Sequence, residues 1–407
     1  MPTSTPPNTA AWLDAPYADL TVRESPYPAA GPTQLVVRAR AVAVNPLDAV
    51  IQSNGRMMYR WLDAPAVLGE DVAGEVVAVG AEVTRFAKGD RVVGFALGVE
   101  KGRDHVGEAA FQHHLLLEEA LTAPVPAGEA FEDVVALPLA VSTAAVALFQ
   151  RDHLALAHPH SVADHRAEPG ETLAELGETV AERGEIAAER GETVAERGET
   201  VVVWGGATSV GLNAVQLAVA AGYRVVTTAS PANHALLREL GAAEAVDYRD
   251  PTAVAKVVEA VGGQPVAGVL AIATGSAEPC VAIAAATGAK RVALASPSVS
   301  FYDQPRRAGL SRRRAGMIAR LVAGNVALQL HCLRHGIRAR FVWGSTLAGN
   351  EVGRMLWTDH LPAALAEGRH RVLPRAEVVG TGLPSIQPAL DRLRTGVSAR
   401  KLVVLLP

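Results

Sequence analysis

The chain has 407 residues, 49% of them hydrophobic and 20% charged. That is ordinary globular usage: it excludes wholesale disorder and, at about 100–200 residues per domain, calls for two or three domains. Lys and Arg number 38 against 42 Asp and Glu, a formal charge of −4, which gives no electrostatic reason to expect nucleic acid or an anionic membrane as partner.

Residues 1–10, rich in Pro, Thr and Ser, are predicted to form a loose tail. Met1–Asp14 has no basic n-region and no apolar h-region, so no secretory signal is read there. From Leu20 to about Val125 the pattern is short Val-rich runs, such as Leu35–Val44, Gly74–Val79 and Arg91–Phe95. Turn signals at Gly31-Pro32, Gly80-Ala81 and Gly89-Asp90 break them, and the stretch reads as antiparallel strands in a compact barrel or sandwich. Val134–Phe149 reads as a largely buried helix. The apolar run from Asp133 to Gln150 contains Pro138, Ser142 and Thr143 and falls short of the roughly 20 residues of a spanning helix. With cysteine only at Cys280 and Cys332, neither a disulfide framework nor a Cys-rich structural zinc site is available. A soluble, cytoplasmic protein is the expectation.

Residues 151–199 form an insert. It opens with His153, His158, His160 and His165, read as surface residues rather than a metal site. A seven-residue repeat follows, from GETLAEL at Gly170 to the copy at Gly198 that runs into the next strand. A coiled coil needs two apolar seam positions per heptad, which the repeat lacks, and a Gly in every unit costs about 1 kcal/mol each relative to Ala. The repeat therefore reads as a solvated expansion.

After Thr200 the rhythm becomes strand–helix–strand. Strands are expected at Val201–Trp204, Arg224–Thr228, Ala245–Val246, Val266–Ile272, Arg291–Ala295 and Ile337–Trp343. Helices are expected at Val210–Ala221, Asn233–Leu240 and Val254–Val261, then a basic helical stretch from Arg306 to Arg334. Near-continuous apolar strands alternating with helices mean a parallel sheet covered on both faces. The chain closes with a helix near Asn350–Glu367, a strand near Glu377–Val379, a helix near Ser385–Arg394 and the strand Lys401–Leu406. The arginines 306, 307, 312, 313 and 314 read as a solvated face.

The strongest local motif is Val201-Val202-Val203-Trp204-Gly205-Gly206-Ala207-Thr208-Ser209-Val210-Gly211. A strand entering a glycine turn and leaving as a helix points free backbone N–H groups and the positive helix end at a pyrophosphate. Gly206, Thr208, Ser209, Val210 and Gly211 are the expected cofactor contacts. A carboxylate near Thr228-Ala229-Ser230 would mark an NAD site by binding the ribose 2′-hydroxyl. That segment offers Ser230 and Asn233 instead, with Tyr248 from the following turn, so a 2′-phosphate and hence NADPH is expected.

The order of an all-β part, a dinucleotide unit and a C-terminal return resembles the medium-chain dehydrogenase/reductase superfamily. The matching blocks are Asn45-Pro46-Leu47-Asp48, Leu68-Gly69-Glu70-Asp71-Val72-Ala73-Gly74, Gly89-Asp90-Arg91-Val92, Leu137-Pro138 through Thr143, and Ser398-Ala399-Arg400-Lys401-Leu402-Val403. Gly94-Phe95-Ala96-Leu97-Gly98 with Ala110-Phe111-Gln112 looks most like the branch of fungal trans-acting enoyl reductases, with quinone oxidoreductases next. The resemblance implies an α/β protein in two domains, a GroES-like β-barrel (11–144, completed by 346–407) and a Rossmann domain with a doubly wound parallel sheet (145–345), with the active site in the cleft between them. Zinc members of this superfamily bind catalytic metal through a Cys near the first block and a His-Glu pair after the Gly. This chain has Asn45 and Gly69-Glu70-Asp71 there, so no metal is expected. The resemblance further implies hydride transfer to a polarised C=C bond of a small-molecule or carrier-bound acyl substrate, by a monomer or homodimer. Asn45, Asp48 and Thr143 would line the site, and Lys401 would either reach the cofactor or stand as a surface charge. Relatives in this branch carry a Lys two residues after the Asp, where this chain has Val50, which leaves the proton donor open, with Tyr59 as a candidate. A quinone or carbonyl reductase and a non-catalytic NADPH-binding protein are the alternatives.

Overall fold

The computed structural model describes residues 7–54, 57–159, 197–301, 306–307 and 312–407. His160, His165 and the heptad repeat up to residue 196 lie outside these. The chain divides into two compact units: Met1–Val146 with Pro297–Val326 and Trp343–Pro407, and Ala147–Ser296 with Ala327–Val342. The division differs from the expected one chiefly in grouping 297–326 with the β-rich part.

In the first unit the described residues form a seven-stranded sheet. Its order is Arg375–Thr381, Arg400–Leu405, Gln34–Ala43, Asp71–Val79, Arg91–Phe95 and Thr122–Pro124, with His114–Glu118 pairing Gln34–Ala43 as well. Every pairing is antiparallel except the parallel one between Arg375–Thr381 and Arg400–Leu405. A second sheet of three strands places Asn8–Leu13 between Thr21–Ser25 and Ala66–Val67. The expected loose tail is therefore a strand from Asn8 onward. Ala10 and Ala11 are fully buried, and the Asn8 side chain donates to Gln112, to the Pro26 carbonyl and to the His114 carbonyl, each at 3.0 Å. Such long-range bonds hold a segment whose composition alone argues for a coil.

Two expected helices are interrupted, each at a proline. Residues Phe131–Val134 and Pro138–Phe149 are separate helical segments. Pro138 has no N–H to continue the first segment but suits the opening position of the second. Glu351–Arg354 runs through a π-helical turn, Met355–His360, into Leu361–Ala366. There Pro362 cannot donate to the carbonyl four residues back, and the widened turn absorbs the lost bond. The turn buries Trp357 completely, and its indole donates to Ser142 Oγ at 3.2 Å.

The second unit is a six-stranded parallel sheet in the order Glu244–Val246, Arg224–Thr228, Thr200–Trp204, Val266–Ala271, Arg291–Leu294, Arg338–Phe341. Numbered within the unit this is 3-2-1-4-5-6, the doubly wound order whose reversal falls beside the first strand. Val201, Val202 and Val203 are fully buried, as a central strand covered on both faces requires.

Each of two groups expected at the surface has a buried member, while Arg307, Arg312 and Arg313 are exposed as expected. His153 is 5% exposed, and its backbone carbonyl accepts from Arg291 at 2.9 Å. Of the arginines, Arg314 is 8% exposed and donates to the carbonyls of Arg307 and Ser53 at 3.0 and 3.3 Å, while Arg306 pairs with Asp19. An arginine's five donors make it a tie for stray carbonyls and carboxylates, which its charge in the sequence does not reveal.

Candidate functional site

Four segments far apart in the chain converge on one buried polar cluster in the first unit. Asn45-Pro46 opens the helix Pro46–Asn54, with Asp48 in its first turn. One Asp48 oxygen accepts the Asn45 N–H at 2.8 Å and the other the Gly69 N–H at 3.1 Å. Asp71 starts the strand Asp71–Val79. Its Oδ1 accepts the Leu139 N–H at 2.7 Å, at the positive first turn of the helix Pro138–Phe149, where a carboxylate is stabilised. Its Oδ2 accepts the Asn45 side-chain amide at 2.8 Å and meets the Lys401 ammonium at 2.7 Å. Lys401 also donates to Asn45 Oδ1. Lys401 comes from the strand Arg400–Leu405, which pairs with the end of Gln34–Ala43. It is only 4% exposed, so it is no surface charge.

Burial dominates the electrostatics here. Asp48 is fully buried and its carboxyl is pushed up to about 7, chiefly because burial disfavours the charged form; the neighbouring Asp71 adds to this, while Lys401 and the two backbone N–H groups oppose it. Glu70, 1% exposed, is raised well above the usual carboxylate range by burial and then by the charges of Asp48, Glu100 and Asp71. Its Oε2 has no hydrogen-bond partner. Tyr59, also 1% exposed, keeps its phenolic proton more tightly than usual for the same reasons, and its hydroxyl is likewise without a partner. Its ring packs between Trp61 and Trp343, both at 5.3 Å between centroids. The Trp343 indole donates to Glu100 at 3.1 Å.

Of the three residues expected to line the reaction site, Asn45 and Asp48 lie in this cluster with their polar atoms engaged. Thr143 stands on the helix that Asp71 caps. Its hydroxyl donates to the Leu139 carbonyl at 2.7 Å, so its oxygen remains as an acceptor. The reading of the sequence passed over Glu70 and Asp71 as functional groups. The motif Gly69-Glu70-Asp71 was the available signal, but which acid meets the lysine is a matter of strand pairing.

In the second unit the glycine turn follows the first strand of the sheet as expected. Thr208 caps the helix Ser209–Ala220: its hydroxyl accepts from the Gly211 N–H at 3.0 Å and donates to the Gly205 carbonyl at 2.8 Å. A Cβ on Gly211 would sit 2.2 Å from the Gly205 carbonyl oxygen, and one on Gly206 would sit 2.1 Å from Thr227 Oγ1. The turn is thus drawn tight against the sheet, and the first-turn N–H groups of Ser209 and Val210 have no intrahelical partners. This is a cradle that fits a dinucleotide pyrophosphate. In register, Trp204 lies beside Thr228 and Thr228 beside Val246, so Ser230 and Tyr248, each two residues past its strand, leave the same end of the sheet. Asn233 donates to Ser230 Oγ at 3.1 Å. Tyr248 is 44% exposed, with the Arg249 guanidinium 5.3 Å from its ring centroid. The carboxylate of Asp247 is turned back onto the Arg249 N–H at 3.0 Å. Lys401 belongs to the first unit, where it meets Asp71.

Residues 31–127 match the family described as Alcohol dehydrogenase GroES-like domain. The chain is 41% identical to the dehydrogenase pigH of Monascus ruber, over 98% of this chain and 99% of that one. It is 32% identical to the trans-enoyl reductase himH of Aspergillus japonicus, over 91% and 89%. Among solved structures, the quinone oxidoreductase from Coxiella burnetii shares the fold at a TM-score of 0.62 and 21% identity, covering 99% of this chain and all of that one. The chain belongs to the medium-chain dehydrogenase/reductase superfamily of nicotinamide-dependent oxidoreductases.

Proposed function

We propose that this oxidoreductase uses NADPH to reduce the polarised C=C bond of an enoyl thioester or enone, without zinc. The observation that carries the reading is the donor set of the first unit. Asn45 and Gly69-Glu70-Asp71 stand where zinc-bearing members offer a thiolate and an imidazole, and the polar atoms of Asn45, Asp48 and Asp71 are already satisfied by protein partners. A catalytic zinc site takes three protein ligands converging on an open position, and a hard-to-ligate amide with a committed carboxylate does not supply them. An alcohol dehydrogenase mechanism, which polarises the alcohol oxygen with the metal, is therefore disfavoured. The similarity to a protein named trans-enoyl reductase supports the C=C class.

The bound nicotinamide supplies hydride, and the chain's own residues do the rest. The N–H groups of Ser209 and Val210 bind the pyrophosphate, with the Thr208 cap holding the turn in shape. Ser230 and Tyr248 donate to the adenosine 2′-phosphate, whose charge the missing ribose carboxylate would otherwise repel. Thr143 discriminates between two roles. Because its proton is given to Leu139, its oxygen would be an acceptor for an amide N–H of the cofactor and not a donor to a substrate carbonyl. Asn45 and Asp48 are positioning residues: they fix the segment before the helix Pro46–Asn54 against Gly69 and Asp71.

The test is NADPH oxidation by chelator-treated protein, with NADH in parallel, against 2-enoyl thioesters, small enones and quinones. Turnover of an enoyl acceptor with NADPH preferred is expected. Quinones as the sole acceptors would replace the substrate class, and activity lost on chelation and restored by zinc would overturn the reading.

A further inference from the structure

We propose that His331 and His335 form a bidentate imidazole site for a divalent transition metal of the Zn2+ or Ni2+ class, on the exposed side of the helix Arg312–His335. The site belongs to the second unit and is independent of the hydride chemistry proposed above. Residues four apart on a helix are surface neighbours. Here both imidazoles are exposed, with ring centroids 4.8 Å apart and planes inclined by only 28°. Two nitrogens bound to one tetrahedral metal at about 2.1 Å lie roughly 3.4 Å from each other, a separation that rings stacked side by side reach by side-chain rotation. The backbone beneath them is already fixed. In the same turns Leu328 and Cys332 are buried and join the core of this unit. Gly336, at φ 63°, ends the helix, and the Ile337 N–H returns to the Cys332 carbonyl at 2.9 Å. A metal therefore orders two side chains and no backbone segment, which keeps the entropic cost of binding small. The last turn is also where the helix dipole favours a cation. Arg334 is a like charge in that turn, but it is exposed and so screened by salt. The donor set selects the metal. The helix carries no Asp or Glu, and among the described residues no group of three or more His, Cys, Asp and Glu could hold an ion. Two imidazoles with water in the remaining positions suit a borderline transition ion, whereas Mg2+ and Ca2+ are held through oxygen ligands.

The experiment titrates the tag-free full chain with Ni2+ and with Zn2+ by calorimetry. It compares wild type with His331→Ala, His335→Ala and the relocated pair His335→Ala/Leu333→His. Leu333 is 75% exposed, so the last protein keeps the number of histidines and the folded helix but sets the two rings on different faces. Wild type is expected to bind one equivalent that each variant binds on the order of 100-fold more weakly, because the second imidazole acts at a high effective concentration. Metal taken up by histidines elsewhere in the chain is common to all four proteins and cancels in the comparison. Excess Mg2+ leaves the equivalent in place. The proposal is overturned if the relocated pair binds like wild type, if wild type binds no equivalent beyond that of His335→Ala, or if Mg2+ displaces the metal.

Discussion

Glu70 offers a direct measurement of what burying this cluster costs. Its carboxyl is 1% exposed, Oε2 has no partner, and burial together with the nearby acids raises it well above the ordinary value of 4.5. The native protein therefore holds a proton that the unfolded chain releases above about pH 4.5, and stability falls as pH rises. While the proton is held, each pH unit above the ordinary value costs up to about 1.4 kcal/mol. Glu70→Gln removes the titration. The amide that replaces Oε2 brings its own unpaired donor, but that cost is the same at every pH. The variant should therefore gain on wild type as pH rises from 5 to 7, by at most about 1.4 kcal/mol per unit. Urea unfolding followed by tryptophan fluorescence at pH 5, 6 and 7 measures this. Trp12, Trp61, Trp343 and Trp357, four of the five tryptophans, lie in the same unit as Glu70, so the signal reports its unfolding. A difference between the two proteins that does not change with pH would show that Glu70 is ionised in the native state and refute the reasoning.

Gly211→Ala drives a methyl to 2.2 Å from the Gly205 carbonyl oxygen; a loss of about 1–3 kcal/mol in denaturant unfolding and at least a tenfold weaker NADPH affinity in a fluorescence titration are expected. Ser230→Ala with Tyr248→Phe should cut the preference for NADPH over NADH by about 10- to 100-fold, the worth of one or more hydrogen bonds to a charged group, in kcat/KM measured with each cofactor; an unchanged ratio would move the 2′-phosphate contact elsewhere. His370, 3% exposed, is pushed down to about 3 by burial and then by His360. The unfolded chain then binds the extra proton, stability declines as pH falls below about 6.5, and His370→Gln should flatten that acid limb in melts between pH 6.5 and 4.

Local signals in this chain carried the α/β architecture a long way. The valine run before Gly205 can only be a strand covered on both sides, and Arg91–Phe95 and Arg224–Thr228 emerge with the bounds their sequence suggests, because alternation and burial are written in adjacent residues. The glycine turn is legible for the same reason: its function depends on backbone approach within seven consecutive positions. The places where the reading failed are those where distant segments decide. Asn8 looks like tail until Gln112 and His114 arrive to accept its amide. Arg314 looks solvated until the Ser53 carbonyl stands above it. Lys401 was an ambiguous charge on a terminal strand, and only the pairing of that strand with Gln34–Ala43, 356 positions from its partner Asn45, seats it among three acids. Periodicity and turn chemistry are properties of neighbours and are fixed by sequence. The protonation of Glu70, the commitment of Asn45 and the identity of the cation beside Asp71 depend on how much water and how many opposite charges surround each atom, and tertiary packing alone decides that.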